Sequence, residues 1–316
     1  MIRAFRPSDV LTLHRLRKQG VYLDNRAVLT WGTRVVTTRA LASPLSKATG
    51  VFTGVQNSGH PGRPLIGQAS HTSGASTARL TFLAPEEQIE LRAAAELIEY
   101  LLRQLGEHQA QTLLAEVDEE AAAFEVLRQL NFSIYARQQI WKITSVAPKW
   151  GGKNKWRICA SLDGFNIRKL HFASVPSLVQ QIEARDFSTL NGWVYYQDTD
   201  LLGFAEVFSG PRGAWVLLFC HPEMDDIEDH LSSLLALLRP RARRPVYLCI
   251  RRYQHDLSSF LQEIGAQASN QQAVMARRLT AGVTHAELSP IPQLNGTPEV
   301  PTPIKDYDLQ GGEEAG

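Results

Sequence analysis

Two side chains in this 316-residue sequence stand where they can move a proton. Glu116 lies near the end of the apolar run Leu113-Leu114-Ala115-Glu116-Val117, and His71 sits in the Ser/Thr/Gly-rich stretch 70–77. A carboxylate or imidazole at a strand end serves as a general base, directly or through water. Each also has a plainer reading, Glu116 as a solvated strand-end carboxylate and His71 as part of a hairpin. Tyr135 is a further hydroxyl that can donate a proton. The stretch around Gly74 has neither a nucleophile elbow nor a phosphate-binding loop. The acids Glu223, Asp225, Asp226, Glu228 and Asp229 crowd one turn, which gives poor convergence on a cation. Arg239, Arg241, Arg243 and Arg244 cluster after a helical stretch, where cations complement a helix C-terminus. Trp193 and Tyr195 share a strand face, as core first and ligand shelf second.

Composition narrows the partners. Lysine and arginine total 33 against 32 acids, a formal charge of +1, so a broad nucleic-acid face is not expected. Apolar runs such as 215–220 fall far short of the roughly 18–20 residues of a membrane span. The first residues lack the apolar core of a secretory signal. Cys159, Cys220 and Cys249 lie far apart and fit neither a disulfide framework nor a zinc knuckle. No metal site is expected, and the expected setting is soluble and cytoplasmic.

The elements that must position these groups fall into two blocks. The expected boundaries are a first domain at 1–145, a linker at 146–156, a second domain at 157–280 and a disordered tail at 281–316. Proline, paired glycines and lysines mark the linker, and prolines and acids without apolar periodicity mark the tail. Block one reads as a strand at 2–5, a helix begun by Pro7-Ser8-Asp9, and an irregular or helical stretch at about 20–50. Strands at 51–55, 64–69 and 77–83 follow, then a helix at 93–105, a strand at 112–117, a helix at 121–130 and a strand at 133–143. Block two repeats the order. Pro222 follows Pro85 by 137 residues, Gly265 follows Asn131 by 134, and Gln271 follows Gln138 by 133. Near-equal offsets point to one fold occurring twice.

The first block resembles the GNAT superfamily of N-acetyltransferases. The resemblance rests on Arg6-Pro7-Ser8-Asp9 after the first strand, on strand 78–83 entering a loop and long helix, and on Leu113–Val117, Ala123 and Leu130-Asn131-Phe132. It is weaker but recognisable over 157–280, so the chain resembles a tandem pair. The implied fold class is α+β, each domain a twisted, mostly antiparallel sheet flanked by helices, with a splayed central strand pair. The implied co-substrate is acetyl-CoA, its pantetheine between the splayed strands and its pyrophosphate on the amides opening the long helix. The implied acceptor is a primary amine, on a small molecule or a protein N-terminus.

The sequence also departs from that pattern. The best placement of the phosphate-binding motif runs from Gln88 to Ala93, with Leu91 where a glycine belongs and Arg92 the nearby cation. Leu83, Gln88, Leu91, Arg92 and Ala93 are therefore the expected cofactor-binding residues, and Glu116 and His71 the candidate bases. In block two the acids of 223–229 stand where the pyrophosphate would lie. The usual acid, a tyrosine on the last helix, falls on Leu127 and Leu261. The family's Asn-x-x-Ala asparagine falls on Glu120 and Gln254. The expectation is an acetyltransferase with its residual site in the first block. The alternative is a catalytically inactive binding or scaffolding module.

Overall fold

The computed structural model of the chain describes residues 2–57, 64–145, 155–187 and 190–279. The expected tail and most of the expected linker lie outside the described residues. The first half runs β1 (Ile2–Ala4), α1 (Val10–Leu16), β2 (Val21–Tyr22), α2 (Asn25–Trp31), α3 (Arg34–Ala42), α4 (Ser46–Thr49), β3 (Val51–Gln56), β4 (Leu65–His71) and β5 (Thr77–Ala84). It continues with α5 (Leu91–Gly106), β6 (Thr112–Asp118), α6 (Ala122–Gln129) and β7 (Ser133–Ile143). The second half runs β8 (Trp156–Ile158), α7 (Gly164–Ser174), α8 (Ser177–Ile182), β9 (Gly192–Gln197), β10 (Asp200–Gly210) and β11 (Gly213–Cys220). Then come α9 (Ile227–Leu238), β12 (Val246–Arg251), α10 (Ser258–Glu263), β13 (Gln267–Ala268) and β14 (Gln272–Arg278). The stretch read as irregular or helical at 20–50 holds three α-helices, a 3₁₀ turn at Ser43–Leu45 and one very short strand.

The described residues form one compact unit, and one sheet runs through both halves in the order β1-β3-β4-β5-β6-β14-β7-β12-β11-β10-β9-β8. Its centre is an exchange. β14, the last strand of the second half, pairs antiparallel with β6 of the first, Val274 opposite Glu116. β7, the last strand of the first half, pairs antiparallel with β12 of the second, Arg251 opposite Gln138. The two exchanged strands also pair with each other, Gln272 opposite Gln138. The boundary at 146–156 therefore separates stretches of sequence, while the sheet interleaves them.

Local chemistry explains the elements. Helix α5 buries Ala94, Leu97, Ile98, Leu101, Leu102 and Leu105, a stripe at three- and four-residue spacing. It lies close on β3 and β4 because glycines stand beneath it. A Cβ at Gly54 would come 2.8 Å from Leu97, and one at Gly67 would come 2.9 Å from it. α9 covers the second half in the same way, burying Leu231, Leu234 and Leu235. A shared apolar cluster joins Ala136 and Ile140 of β7 to Val274 of β14 and to Ile167 and Leu170 of α7.

The duplication shows most plainly at each first strand. Arg3 makes two bonds to the Asp9 carboxylate, at 2.6 and 2.8 Å, and the Arg6 N–H donates to the same group at 2.8 Å. Arg157 grips Asp163 at 2.7 and 2.6 Å, and the Ala160 N–H donates to it at 2.8 Å. Each aspartate thus ties its strand to the turn that opens the next helix. No helix of the described residues is long and apolar enough to cross a membrane.

Candidate functional site

Among the described residues each half contains one parallel strand pair, and each pair parts after a few residues. β5 and β6 stay together from Thr77 opposite Thr112 to Arg79 opposite Leu114. β11 and β12 stay together from Ala214 opposite Val246 to Leu217 opposite Cys249. Beyond these points the strands diverge, leaving main-chain groups unpaired across a V-shaped gap. Buried main-chain groups need partners, and the two halves supply them differently.

In the first half the chain fills its own gap. β2 pairs antiparallel with β5, Val21 opposite Leu83 and Tyr22 opposite Phe82. The Leu23 N–H donates to the Thr81 carbonyl at 3.0 Å, and the Leu23 carbonyl accepts from the Glu116 N–H at 3.0 Å. Glu86 N–H closes the outer end on the Gln19 carbonyl at 2.7 Å. Gly20 permits the approach, since a Cβ there would lie 2.5 Å from the Phe82 ring and 2.6 Å from Ala84 Cβ. The main chain of Leu23, through its N–H and its carbonyl, thus stands where the resemblance puts pantetheine.

The expected cofactor-binding residues are placed accordingly. Leu83 borders the gap but is fully buried against β2. Gln88 lies in the turn before α5, its side-chain oxygen buried without a partner. Leu91 and Arg92 open α5 on the surface, and Arg92 reaches Glu96 at 3.6 Å. Ala93 packs half-buried against the core.

Glu116 is not a solvated strand-end group. It is buried, with Arg79 on one oxygen at 3.2 Å and both the backbone N–H and side-chain amide of Asn25 on the other, at 3.2 and 3.1 Å. Burial opposes the Arg79 charge, but Glu116 and then Asp24 hold the guanidinium above its ordinary value. With three donors upon it, this carboxylate positions Asn25 and Arg79 rather than reaching for a substrate proton. The chain of bonds runs on across the strand exchange. Asn25 and Gln138 each donate to the Gln272 side-chain oxygen at 3.0 Å, and the Cys249 thiol donates to that of Gln138 at 3.3 Å. His71 stays apart, buried and bonded through Nε2 to the Ala75 carbonyl at 2.7 Å, within its own hairpin.

In the second half the corresponding gap is bridged by one side chain. The Gln254 side-chain oxygen accepts from the Arg251 N–H at 2.8 Å, and its amide nitrogen donates to the Leu218 carbonyl. Leu218 stands four residues after Ala214, as Thr81 stands four after Thr77, so on this strand both bridges land at the same step. Beside Gln254 lies a cavity of about 240 Å³, bordered by Leu218 and Cys220 of β11, Ile250 of β12, Ser174, Tyr253 and Leu257. Burial pushes the Tyr253 hydroxyl up to about 12, and the Cys220 thiol likewise to about 12. At neutral pH both are protonated. Tyr253 then brings a protonated, weakly acidic hydroxyl to the cavity wall, whereas Cys220 is no nucleophile.

Behind this wall sits a buried ionic cluster. Arg251 and Tyr135 donate to one oxygen of Glu183, at 2.9 and 2.6 Å. Burial disfavours the Glu183 charge, but Arg251, Arg79 and the Tyr135 hydroxyl hold it down at about 2. Tyr135 is driven the other way, by burial and by the Glu183 charge, so its hydroxyl stays protonated. At the outer end, the carboxylates of Glu223, Asp225, Asp226, Glu228 and Asp229 are exposed around the start of α9. They serve the helix N-terminus as phosphate would, and they oppose any phosphate placed there.

Sequence reasoning noted Gln254 and Tyr135 but missed Tyr253 and the filling of the first gap. The aromatic three residues beyond the apolar run 246–250 was the available signal for Tyr253. Residues 20–25 carried none, because a two-residue strand has no periodicity. Leu127 and Leu261, at the position of the family's acid, are both fully buried core.

No protein-family model matches the chain, and no curated protein sequence matches it. Solved structures do. A GCN5-related N-acetyltransferase from Sphaerobacter thermophilus is similar over 90% of this chain and 96% of its own, at 12% identity and a TM-score of 0.54. A protein from Pyrococcus horikoshii described as an acetyltransferase is similar over 89% of this chain and 90% of its own, at 11% identity and a TM-score of 0.52. A tandem GNAT protein from the clavulanic acid biosynthesis pathway, solved without AcCoA, is similar over 89% and 98%, at 16% identity and a TM-score of 0.48. The chain has a tandem GNAT-like fold, α+β in class.

Proposed function

We propose that this protein transfers an acyl group from a thioester to an amine, and that the working half is the second one. The donor is acetyl-CoA, and the acceptor is a primary amine on a small molecule or a protein N-terminus. One observation carries the reading: the gap between β11 and β12 is bridged by a side chain that can rotate away, beside a cavity walled by a protonated tyrosine. The first half, its gap filled by main chain, then serves to complete the sheet. With Gln254 turned out, the Leu218 carbonyl and Arg251 N–H are free to bond the amides of a pantetheine arm. The acids around α9 do not fit the pyrophosphate, so the binding expected is weak.

In the reaction the amine attacks the thioester carbonyl, the C–N bond forms and the C–S bond breaks. Tyr253 gives its proton to the departing thiolate, and the ammonium proton passes to water. Alignment of the reactants in the gap supplies most of the acceleration. The protein works in the cytoplasm, in keeping with three free cysteines.

Calorimetric titration of the full chain with acetyl-CoA tests this. The expected result is a weak site that tightens in Gln254→Ala; an affinity unaltered in that variant overturns the reading. In Tyr253→Phe the affinity is kept and turnover falls by about 10²-fold, the usual scale for a proton donor. Absence of heat at millimolar ligand in both the wild type and Gln254→Ala overturns the proposal. It would favour the second reading, a non-catalytic module, which the acidic rim and the two amide bridges support.

A further inference from the structure

We propose that the surface beyond the C-terminus of α9 is a binding site for an organic polyphosphate, separate from the acyl gap. A cavity of about 640 Å³ opens there, its floor formed by Leu237, Leu238 and Val246 and its walls by Arg239, Arg241, Arg243 and Arg244. That volume suits a small molecule rather than a polymer. Arg241 and Arg244 close a tight turn on each other, N–H to carbonyl in both directions at 3.0 and 2.8 Å, so the guanidinium groups are presented together. All four side chains are exposed, none has an ion-pair partner among the described residues, and no acid lines the cavity.

Complementing the helix end does not account for four cations. That effect fades within the last turn, and only Arg239, the C-cap, is that close. Nor does overall charge account for them, because the chain carries only +1 and the surplus is gathered here. Unpaired guanidinium groups around one concavity are a site for phosphate oxygens, which they bind in bidentate fashion. A shallower depression of about 380 Å³ continues from Arg244 to Trp31, a residue 58% exposed. Arg212 lies beside it, packed across Gly32. A flat, exposed indole next to a phosphate site is a shelf for a base or another planar group. The ligand class is thus a nucleoside polyphosphate, phosphates on the arginines and ring on Trp31.

Titration calorimetry of the full chain with ATP and with inorganic tripolyphosphate tests it. Both ligands bind at one site, more weakly as salt rises. Arg241→Ala with Arg243→Ala weakens both by about tenfold or more. Trp31→Ala weakens ATP by about fivefold and spares tripolyphosphate. Gln254→Ala leaves ATP binding unchanged, which separates this site from the acyl gap. Absence of heat with both ligands at millimolar concentration overturns the proposal, as does unaltered affinity in the folded double variant. An equal effect of Trp31→Ala on both ligands, or none, overturns the nucleoside assignment. A single-stranded RNA bound far more tightly than ATP replaces the small ligand with nucleic acid and likewise overturns it.

Discussion

The first half closes its gap with main chain and the second closes the same gap with a side chain. Leu23 and Gln254 each offer one amide N–H and one carbonyl oxygen, to Thr81 and Leu218 on one strand and to Glu116 and Arg251 on the other. The peptide of Leu23 is held on both sides, by β2 before it and by Asn25 on Glu116 after it. It cannot leave without unravelling that segment. The carboxamide of Gln254 swings about single bonds and takes nothing with it. Two copies of one fold have met the same unpaired groups, and only one solution leaves a removable stopper.

The largest test of that contrast is Leu23→Pro. It removes the N–H that meets Thr81 and a side chain 1% exposed, so denaturant unfolding is expected to show a loss of about 4 kcal/mol or more. Next comes Glu116→Ala, which strands the Arg79 guanidinium; breaking such a buried pair costs about 3–5 kcal/mol by the same measurement. If either variant is neutral, the first gap is not sealed as described.

The offset that relates Arg3 to Arg157 also brings Arg17, a permanent cation, onto His171. His171 is buried among Phe172, Phe187 and Phe219, and burial, with help from Arg185, pulls it down to about 4. The unfolded chain therefore binds this proton more readily than the folded one. Its contribution to stability is complete above pH 6.5 and is lost as pH falls from there toward 4. Glu183, also held down, adds a second loss between about 4.5 and 2. Unfolding midpoints measured across pH should lose the upper limb in His171→Phe and keep the lower one. Survival of the upper limb would assign it elsewhere.

The smallest effect expected is that of Gln254→Ala. Two bonds from a half-buried amide amount to about 1 kcal/mol in unfolding free energy. A loss as large as that of Leu23→Pro would make the second stopper as structural as the first and erase the contrast.

Much of the fold was legible because its long elements have strong periods. The stripe of α5 and the triplets of apolar strands parted by Gly, Ser and Pro announced themselves, and near-constant offsets revealed the repeat. The matched Arg–Asp grips at 3/9 and 157/163 were equally visible, had spacing been sought in charges as well as prolines. The strand exchange was not legible, because β7 and β14 are the same kind of strand and nothing in either sequence says which one lies beside β6. The candidate site was legible in part. Counting along the family motif reached Gln254, but whether Glu116 meets water or Arg79 depends on Asn25, 91 residues away in sequence. Such long-range pairing leaves no local mark.

The exchange of β7 and β14 bears on how the protein is made. As the nascent chain leaves the ribosome, the first half has every strand but the one that must lie beside β6. Its sheet keeps an open, sticky border until Gln272–Arg278 has been synthesised. Synthesis that stops at residue 145 is therefore expected to yield a chaperone client rather than a free-standing enzyme, and the two halves are inherited as a single folding event.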